Sequence, residues 1–359
     1  MYLSKIQINN VRNIAVIGMN PCEKLNVIVG PNGSGKTSVL ESLYLLSRAR
    51  SFRTHNIKKV VSFQQDNLTV FAELQGDNRQ HKIAINKSQS DTVIRINGQT
   101  EKKSSELSRY LHSHLIRPES QTLLENGSSV RRSFIDWGVF HQKHDFLDIS
   151  KKHNQLLKQR NKLLKTKQLD TLSVWNNKFV EYGTMVCIDR QAYVSRFEQE
   201  LYLIARQLLG DVDVKVEFIK GWDKSLSLEE ALNKAEARDT YCGHSTVGSH
   251  KSDIKVLVND KLAQDFLSRG QMKLMVIAMY LAQIKLMSGV VEKSACVLID
   301  DLAAELDQHS FHKVMIFLDK LSVQVFITTT NKQLFLEYIE ANKSKVFHVK
   351  HGGIETEEH

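Results

Sequence analysis

The sequence predicts an α/β fold with an antiparallel β subdomain and an inserted helical arm. Three observations lead to this prediction. A glycine-rich loop typical of phosphate binding lies between a short apolar strand and a helix near the start of the chain. Three alternating segments separated by turn residues follow it, which indicates an antiparallel sheet. In the last third of the chain, predicted strands alternate with predicted helices, as they do in parallel α/β cores.

The composition is that of a globular protein with an excess of positive charge. Of 359 residues, 42% are hydrophobic and 25% are charged, and the net charge is +9. This excess suggests a polyanionic partner such as nucleic acid, although many basic proteins bind none. Composition alone therefore leaves both interpretations open.

No feature predicts a zinc ribbon, a disulfide framework or a membrane span. The four cysteines are scattered, residues 1–10 have no signal-peptide core, and Lys273 and Lys285 interrupt the most apolar helical segment. We expect reduced thiols, a cytoplasmic location and no membrane partner. The pair His141 and His144 is interpreted as a surface feature, not as a metal site.

The glycine-rich loop fits G-x-x-x-x-G-K-[ST], the P-loop, at every fixed position. Leu25–Val29 before it is a predicted strand, and residues 38–48 after it have apolar side chains at helical spacing. Glycines let backbone N–H groups face a phosphate, and the helix N-terminus adds positive potential. We expect Lys36 to reach the β- and γ-phosphates of ATP, and Thr37 to coordinate Mg²⁺ (magnesium). The candidate nucleotide-binding residues here are Gly30, Pro31, Asn32, Gly33, Ser34, Gly35, Lys36, Thr37 and Ser38.

The segments on either side of the P-loop are predicted to form a half-buried strand and an antiparallel meander. Residues 2–8 alternate in polarity, and residues 11–14 are expected to turn the chain toward the P-loop strand. The meander strands are predicted at 68–74, 82–86 and 92–96, with turn signals at 76–78 and 97–98.

The middle of the chain is predicted to be mostly helical. Residues 104–111 and 130–138 are predicted helices, and residues 115–119 are a predicted strand that ends at a proline. In the second helix, Arg131 and Arg132 fit either phosphate contacts or ion pairs, and the sequence does not choose between them.

Residues 144–210 are predicted to form a two-helix hairpin, the arm, with a turn at 166–170 and a stop at Gly210. Eight Lys and Arg residues lie between Lys143 and Lys167. Such a run is usually a solvated face, but it also fits a DNA-facing surface. Both interpretations stay open at this point. If the arm binds DNA, the candidate contacts are Lys158, Arg160, Lys162 and Lys165.

The last third of the chain carries the alternating elements. We predict strands at 212–218, 254–258, 295–299 and 323–328, and helices after Ser227, after Leu267 and at 308–320. The first of these helices opens with a capping box, Ser227-x-x-Glu230.

The strand at 295–299 ends in two carboxylates, Asp300 and Asp301. In P-loop ATPases such a strand supplies an Asp that holds Mg²⁺, and Asp300 fits that role. The next acid would lie near the γ-phosphate, so Asp301 is the candidate general base. By itself, a strand followed by two acids could equally be a strand-to-loop cap.

Residues 267–271 resemble the signature motif of ABC-type ATPases, usually Leu-Ser-Gly-Gly-Gln, with Arg269 in place of a glycine. Ser268, Arg269, Gly270 and Gln271 are therefore candidate ligands of a γ-phosphate at a helix N-terminus. Residues 304–307 resemble the D-loop that follows the Mg²⁺ strand. In ABC-type heads the signature faces the P-loop of a second subunit, so the resemblance implies an ATP-dependent homodimer.

Transporter heads carry a switch histidine where this chain has Thr328, Thr329 and Thr330, and chromosome-structuring heads carry far longer coiled coils. This chain combines a short arm with the absence of the switch histidine. In this combination it resembles the RecF family of bacterial recombination mediators, which are SMC-like ATPase heads. The resemblance runs essentially end to end, with two departures. Residues 248–251 differ from the usual Gly-Pro-His-Arg, and the arm beyond residues 140–141, which follow the family, does not match residue by residue. The residues that carry it are 7–13, the P-loop, 118–119, 131–138, 247–250, 267–271, 300–301 and 304–307.

The resemblance implies a cytoplasmic protein that binds ATP, Mg²⁺ and DNA, with an ATP-driven homodimer that clamps on single-stranded, gapped or linear double-stranded DNA and on duplex junctions. It also implies a weak, DNA-stimulated ATPase switch that acts with RecO and RecR in recombinase loading, SOS induction and replication restart. Residues 1–110 would form the N-terminal part of the ATPase head, 111–210 the helical insertion and 211–359 the C-terminal part of the head. The alternatives are another ABC-type head, SMC-like or transporter-like, and a P-loop phosphotransferase.

Overall fold

The structure is a computed structural model that describes residues 1–76, 79–288, 294–321, 323–341 and 344–357. Its strands are β1 (Tyr2–Val11), β2 (Ile14–Met19), β3 (Leu25–Val29), β4 (Asn67–Gln75), β5 (Gln80–Ser88), β6 (Thr92–Ile96), β7 (Gln99–Glu101), β8 (Leu111–Ile116), β9 (Val214–Ile219), β10 (Asp253–Val258), β11 (Lys261–Leu262), β12 (Ser294–Ile299), β13 (Gln324–Thr329), β14 (Lys345–Lys350) and β15 (Gly353–Glu357). Its α-helices are α1 (Lys36–Arg48), α2 (Leu107–Tyr110), α3 (Thr122–Glu125), α4 (Ser128–Gln142), α5 (Phe146–Thr166), α6 (Leu172–Leu209), α7 (Leu228–Cys242), α8 (Ala263–Phe266), α9 (Arg269–Ser288), α10 (Leu302–Glu305), α11 (Gln308–Lys320) and α12 (Leu336–Ala341). Short 3₁₀ turns span Ile57–Lys59, Ser104–Glu106, Pro118–Gln121, Ser249–Lys251 and Lys332–Phe335.

The chain divides into two compact units. The first unit comprises Met1–Ser120 and Val291–His359, and the second unit comprises Gln121–Val290. The predicted boundaries at 110 and 210 fall elsewhere, because β8 pairs in parallel with β12 and so stays with the first unit. The segment after residue 210 stays with the helical unit because β9 and α9 pack on α6.

The first unit contains a mostly parallel sheet with the strand order β15-β14-β3-β13-β12-β8. All of its strand pairs are parallel except the β14–β15 hairpin. Every residue of β3 and β13 is buried, as expected for central strands of a parallel sheet, and both strands are mostly apolar in sequence. The predicted parallel α/β core is confirmed.

An antiparallel sheet in the order β2-β1-β4-β5-β6-β7 completes the first unit. Its meander contains the three predicted strands, and the predicted Asn97-Gly98 turn joins β6 to β7. Of the turn predicted at 76–78, Asp77 and Asn78 lie outside the described residues. β2 was not predicted. Arg12, at φ 56°, and Asn13 form a tight turn in which Val11 pairs with Ile14, so the chain folds back as β2 along β1 before it continues to the P-loop strand β3.

The second unit contains the predicted arm, formed by α5 and α6. Lys167 (φ 56°) is the C-cap of α5, and Gly210 (φ 91°) is the C-cap of α6. β9, β10 and β11 form a small antiparallel sheet. The Ser227 capping box forms as predicted, with reciprocal hydrogen bonds between Ser227 and Glu230 at the start of α7.

Several polar side chains of the second unit have structural roles. Arg131 forms a bidentate ion pair with Asp253 at 2.8 and 2.9 Å, so for Arg131 the ion-pair interpretation holds. Arg132 donates to the Ser128 hydroxyl and the Ser252 carbonyl oxygen. His141 is buried, so its interpretation as a surface residue was wrong. Within the described residues, the structure contains no helix both long and apolar enough to span a bilayer.

Candidate nucleotide-binding site

The P-loop adopts a backbone that only glycine tolerates well. Gly33 and Gly35 have φ angles of 79° and 118°, in the left-handed region, and Gly35 is the N-cap of α1. A Cβ on Gly30 would lie 2.6 Å from the Ser34 hydroxyl oxygen and closer still to the Val349 carbonyl oxygen. The loop is therefore a backbone cradle at the N-terminus of a thirteen-residue helix, the arrangement that binds phosphate.

Lys36 lies at the mouth of this cradle. Its ammonium group donates to the carbonyl oxygens of Gly30, at 2.8 Å, and Pro31, at 3.1 Å. Burial lowers the pKa of Lys36, while the carboxylates of Asp301 and Asp300 act in the opposite direction. A lysine held against the loop in this way fits a phosphate group placed in the cradle.

Thr37 and Asp300, the two predicted metal ligands, lie together in the structure. The Thr37 hydroxyl donates to the two carboxylate oxygens of Asp300 at 3.0 and 3.1 Å. The parallel sheet brings them together, because β3 leads into the P-loop and Asp300 directly follows β12, with β13 between the two strands. A hydroxyl and a carboxylate are hard oxygen ligands, so these residues fit Mg²⁺.

The described residues contain no group of three His, Cys, Asp or Glu side chains that could hold a metal ion. The predicted Mg²⁺ site does not require such a group. Mg²⁺ in nucleotide sites is usually held by one or two protein oxygens, with phosphate and water oxygens completing its shell.

Asp301, the candidate general base, has a constrained backbone. Its φ is 50°, in the left-handed region, and its N–H donates to the Thr328 hydroxyl at 3.0 Å. Burial raises the pKa of Asp301; the Lys36 ammonium lowers it, and the carboxylates of Asp300 and Glu305 raise it. A carboxylate with a raised pKa is a better proton acceptor than an ordinary surface aspartate.

Thr328 is a site residue whose role the sequence did not identify. Its hydroxyl donates to Asp300 at 2.8 Å and accepts from the N–H of Asp301. In the sequence, Thr328, Thr329 and Thr330 all stand where transporter heads carry the switch histidine. Of these three residues, Thr328, the penultimate residue of β13, contacts Asp300. The Thr329 hydroxyl instead donates to the carbonyl oxygen of Asn331 and accepts from its N–H.

The turn between β1 and β2 also contributes to the site. The Asn13 amide donates to the Gly33 carbonyl oxygen at 3.2 Å and accepts from the Ser38 hydroxyl at 3.1 Å. Ser38, a predicted nucleotide ligand, is therefore buried against this turn. Gly352 donates to the Ser34 carbonyl oxygen at 3.0 Å, and a Cβ at Gly352 would overlap with the Asn13 carbonyl oxygen. Asn13 lies in the segment 7–13 that carries the family resemblance, but the sequence assigned no role to Asn13 or to Gly352.

An ion pair fixes the same turn to the P-loop helix. Arg12 forms two hydrogen bonds of 2.9 Å with the carboxylate of Glu41, which is fully buried on α1. The Ser51 hydroxyl also donates to Glu41. Since a buried carboxylate needs such partners, Arg12 and Glu41 hold α1 in register with the β1–β2 hairpin.

The signature residues lie in the second unit, at the N-terminus of α9. The N–H of Ser268 donates to the Gln271 side-chain oxygen at 3.0 Å, and the Gln271 N–H donates to the Ser268 hydroxyl at 3.4 Å. This reciprocal cap starts α9, and all four residues from Ser268 to Gln271 are exposed. The structure thus presents them to solvent, while their contact with a second subunit stays a prediction.

Comparisons with known proteins agree with this geometry. Residues 2–355 match the family described as RecF/RecN/SMC N terminal domain. The chain is 37% identical to the DNA replication and repair protein RecF of Shewanella oneidensis over 356 residues, which cover 99% of each chain. It is also 37% identical to the same-named protein of Shewanella frigidimarina over 354 residues, which cover 98% of each chain.

Solved structures share the fold. The recombination mediator protein RecF-ATPrS of the RecFOR pathway superimposes with a TM-score of 0.88 at 24% identity, covering 99% of this chain and 98% of that one. An Smc head bound to the C-winged helix domain of ScpA gives a TM-score of 0.59 at 14% identity, covering 99% and 97%. The predicted fold, an ATPase head with an antiparallel subdomain and a helical arm, is confirmed.

Proposed function

The chain belongs to the bacterial RecF group of the RecF/RecN/SMC N-terminal domain family, and we propose from this that it is an ATP-dependent DNA-binding protein of DNA replication and repair. The observation that carries the proposal is the meeting of Lys36, Thr37 and Asp300 at the end of a parallel sheet. Such a site has little use in a protein that only binds DNA, so a nucleotide-driven switch is the function that the geometry supports best.

The chain's own residues would bind ATP and Mg²⁺ as follows. Backbone N–H groups of the P-loop and the Lys36 ammonium would hold the phosphates, and Thr37 and Asp300 would hold the ion. The ion, when bound, neutralises charge on the phosphate oxygens. Asp301 would orient a water molecule and accept its proton, with Thr328 holding both the Asp301 backbone and the Asp300 carboxylate.

We further propose an ATP-dependent homodimer. The exposed N-terminus of α9, with the Ser268 hydroxyl at its tip, would bind the γ-phosphate held by the P-loop of a second copy. A P-loop phosphotransferase has no need of this motif. A transporter head would carry a histidine in the region of Thr328–Thr330, where this chain has none. Both alternatives are therefore disfavoured.

The DNA would be single-stranded, gapped or carry a duplex junction, as family membership suggests, and the net charge of +9 favours such a partner. We propose that the dimer acts with RecO- and RecR-type mediators in recombinase loading, in SOS induction and in replication restart. A chromosomal DNA partner would place this activity in the bacterial cytoplasm.

The test combines hydrolysis with assembly. ATP hydrolysis would be measured with and without gapped DNA, and dimer formation would be followed by light scattering in the same samples. We expect slow hydrolysis that DNA increases, and dimers that require ATP. A chain that hydrolyses ATP as a monomer, with no response to DNA, would contradict the proposal and favour the phosphotransferase.

A further inference from the structure

Among the described residues of the first unit, Phe63 is the most exposed large hydrophobic side chain. It is 89% exposed and lies in the loop between the 3₁₀ turn Ile57–Lys59 and β4. A single exposed apolar side chain is common on protein surfaces and has no meaning by itself. What matters for Phe63 is how the ring is held and what lies beside it.

A strained turn holds the ring in its exposed position. The turn spans residues 62–65 and is closed by a hydrogen bond of 3.1 Å from the N–H of Gln65 to the Ser62 carbonyl oxygen. Gln64, directly after Phe63, has a φ of 61°, in the left-handed region that residues other than glycine rarely adopt. Backbone strain of this kind persists only where the surrounding contacts enforce it, and it is common at ligand sites.

Three hydrogen bonds fasten this turn to the β1–β2 hairpin. The Ser62 N–H donates to the Asn10 carbonyl oxygen at 3.0 Å, and the Ser62 hydroxyl donates to the Ile14 carbonyl oxygen at 3.1 Å. The Asn10 side chain donates to the Gln65 side-chain oxygen at 3.3 Å. Residues 12–13, which connect these two strands, include the Asn13 contact with the P-loop, so the Phe63 ring is fixed to the same hairpin as that contact.

The hairpin contacts the P-loop away from the metal ligands. Asn13 bonds to Gly33 and Ser38, whereas Asp300 bonds to Thr37. In a P-loop the lysine reaches the β- and γ-phosphates and the threonine binds Mg²⁺, so Asp300 marks the γ-phosphate end of the cradle. The α-phosphate, which carries the ribose and the base, would then lie toward the hairpin.

Building on the proposed function, we infer that Phe63 is the platform on which the adenine base of ATP stacks. The cradle would hold the phosphates, and the ring would cover one face of the base. Stacking removes a face of the base and a face of the ring from water. Because the turn fixes the ring before ATP arrives, little conformational freedom is lost on binding.

The position of the ring favours a base as its occupant. Phosphates held in the cradle would keep the base beside the hairpin, so the stacking contact forms within a molecule that is already bound and needs little affinity of its own. Every base has a π-face, and stacking uses only that face. The contact would therefore add affinity for a nucleotide and none for its phosphates alone.

The first experiment compares ATP with tripolyphosphate, which has the phosphates but no base. Phe63→Ala should weaken ATP binding by about 5- to 100-fold, the usual contribution of stacking on one base, and should leave tripolyphosphate binding unchanged. Phe63→Trp, which keeps an aromatic ring, should bind ATP as wild type does. Tyr241→Ala, which removes a 93% exposed ring from the second unit, is the matched control and should change neither affinity. Calorimetric titration of the full chain with Mg²⁺ would measure these affinities, and thermal unfolding would exclude loss of fold as the cause.

The second experiment detects the stacked base directly. In the Phe63→Trp variant, the indole emission should change when ATP is added and stay constant when tripolyphosphate is added, because only ATP brings a base onto the ring. Wild type, with its three tryptophans elsewhere in the chain, supplies the background signal. An emission change that is the same for both ligands would contradict stacking at this position.

The outcomes separate this inference from the proposed function. If wild type binds neither ATP nor tripolyphosphate, the proposed function itself fails. If wild type binds ATP and Phe63→Ala binds it equally well, the ring is not a platform for the base and only this inference fails. If Phe63→Ala weakens ATP and tripolyphosphate binding to the same extent, the turn supports the P-loop and not the base, which also contradicts the inference.

Discussion

The Lys36 ammonium donates to the carbonyl oxygens of Gly30 and Pro31 in the P-loop. A phosphate bound in the loop would replace these carbonyl groups as the partner of the ammonium. Lys36→Ala should weaken ATP binding and lower hydrolysis by about 100-fold or more, since the variant lacks the charge that compensates phosphate. Lys36→Arg keeps the charge but not its position, so turnover should fall more than binding. Nucleotide titration and phosphate release would be measured for both. Wild-type hydrolysis by either variant would exclude the P-loop from the reaction.

Asp301 is the second residue whose chemistry can be tested directly. Asp301→Asn should bind ATP, hydrolyse it about 100- to 10,000-fold more slowly, and stay dimeric for longer. A base acts only when deprotonated and burial raises the pKa of Asp301, so wild-type hydrolysis should rise with pH through that raised pKa. The Asn variant should lack this limb of the pH profile. Dimer dissociation as fast as in wild type would show that Asp301 is not the base.

For single residues, the sequence predicted those site residues that belong to a short continuous motif. Lys36 and Thr37 follow from one continuous motif, and Asp300 from the strand before it. The segments that hold Asn13 and Thr328 were noted, but the contacts of Asn13, Thr328 and Gly352 could not be predicted, because each reaches the P-loop or Asp300 only once separate segments of the chain pack together. Ordinary residue types in such positions carry no pattern of their own.

Among the elements, Arg160 of α5 links the arm to α7. It is fully buried and donates to Asp239 at 2.7 Å, to the Ser245 hydroxyl at 2.6 Å and to the Asn176 side chain at 2.8 Å. The prediction that Arg160 is a candidate DNA contact, like the arm lysines, was therefore wrong. The charge run of the arm contains both a solvated face and a buried structural cation, which spacing alone does not separate.

Removing Arg160 should destabilise the second unit strongly. Arg160→Met would leave the buried carboxylate of Asp239 without its cation, at a cost of about 3 to 5 kcal/mol of unfolding free energy. Lys158→Met, two residues away on the exposed face, should change stability by no more than about 0.5 kcal/mol. Chemical denaturation would measure both. Similar stabilities for the two variants would refute the structural role of Arg160.

Two neighbouring histidines, His153, which is buried, and His250, which is partly buried, predict the acid sensitivity of the same unit. The His153 ring stacks on Phe179 at 5.0 Å and lies 6.5 Å from the His250 ring. Burial lowers the pKa of His153 to about 3 and that of His250 to about 4. Both rings stay neutral when folded and would be protonated when unfolded below pH of about 6.5, so the unfolded state binds more protons.

Stability should therefore fall as pH drops from about 6.5 toward about 3, by about 1.4 kcal/mol for each pKa unit of difference. The slope of unfolding free energy against pH reports the number of protons taken up on unfolding, and His153→Gln should lower this number by up to one. His244→Gln, at an exposed position, is the control and should leave it unchanged. An unaltered pH slope in the His153 variant would show that the ring is not buried in its neutral form.

Elements with strong local patterns were predicted closely. β3, β6 and α11 span the predicted residues, because a buried apolar run, a turn-bounded alternation and a capped amphipathic helix are signals within one segment. β2 was missed because its six residues have no clear alternation and its place is fixed by the Arg12–Asn13 hairpin. The unit boundaries were misplaced because β8 joins the sheet through β12, a pairing between segments distant in the sequence.

At the scale of the whole molecule, the proposed function depends on two copies completing each other's sites. Ser268→Arg should block closure by size and charge while leaving ATP binding by the single chain intact, because Ser268 lies at the exposed tip of α9. Lys36→Ala should damage the P-loop and spare the signature. Each variant alone should be nearly inactive.

Mixing the two variants tests this arrangement. A heterodimer has one doubly damaged site and one site built from an intact P-loop and an intact signature. Hydrolysis should therefore recover in proportion to the heterodimer fraction. If the two sites act independently, the recovery should reach at most about half of the wild-type rate per dimer. Dimer formation must be followed in the same samples, since coupling between sites would lower the recovery. Recovery cannot arise within one chain, because each chain retains one lesion. Full activity and normal dimerisation of Ser268→Arg by itself would exclude the signature from the site and restore the monomeric enzyme as the better explanation.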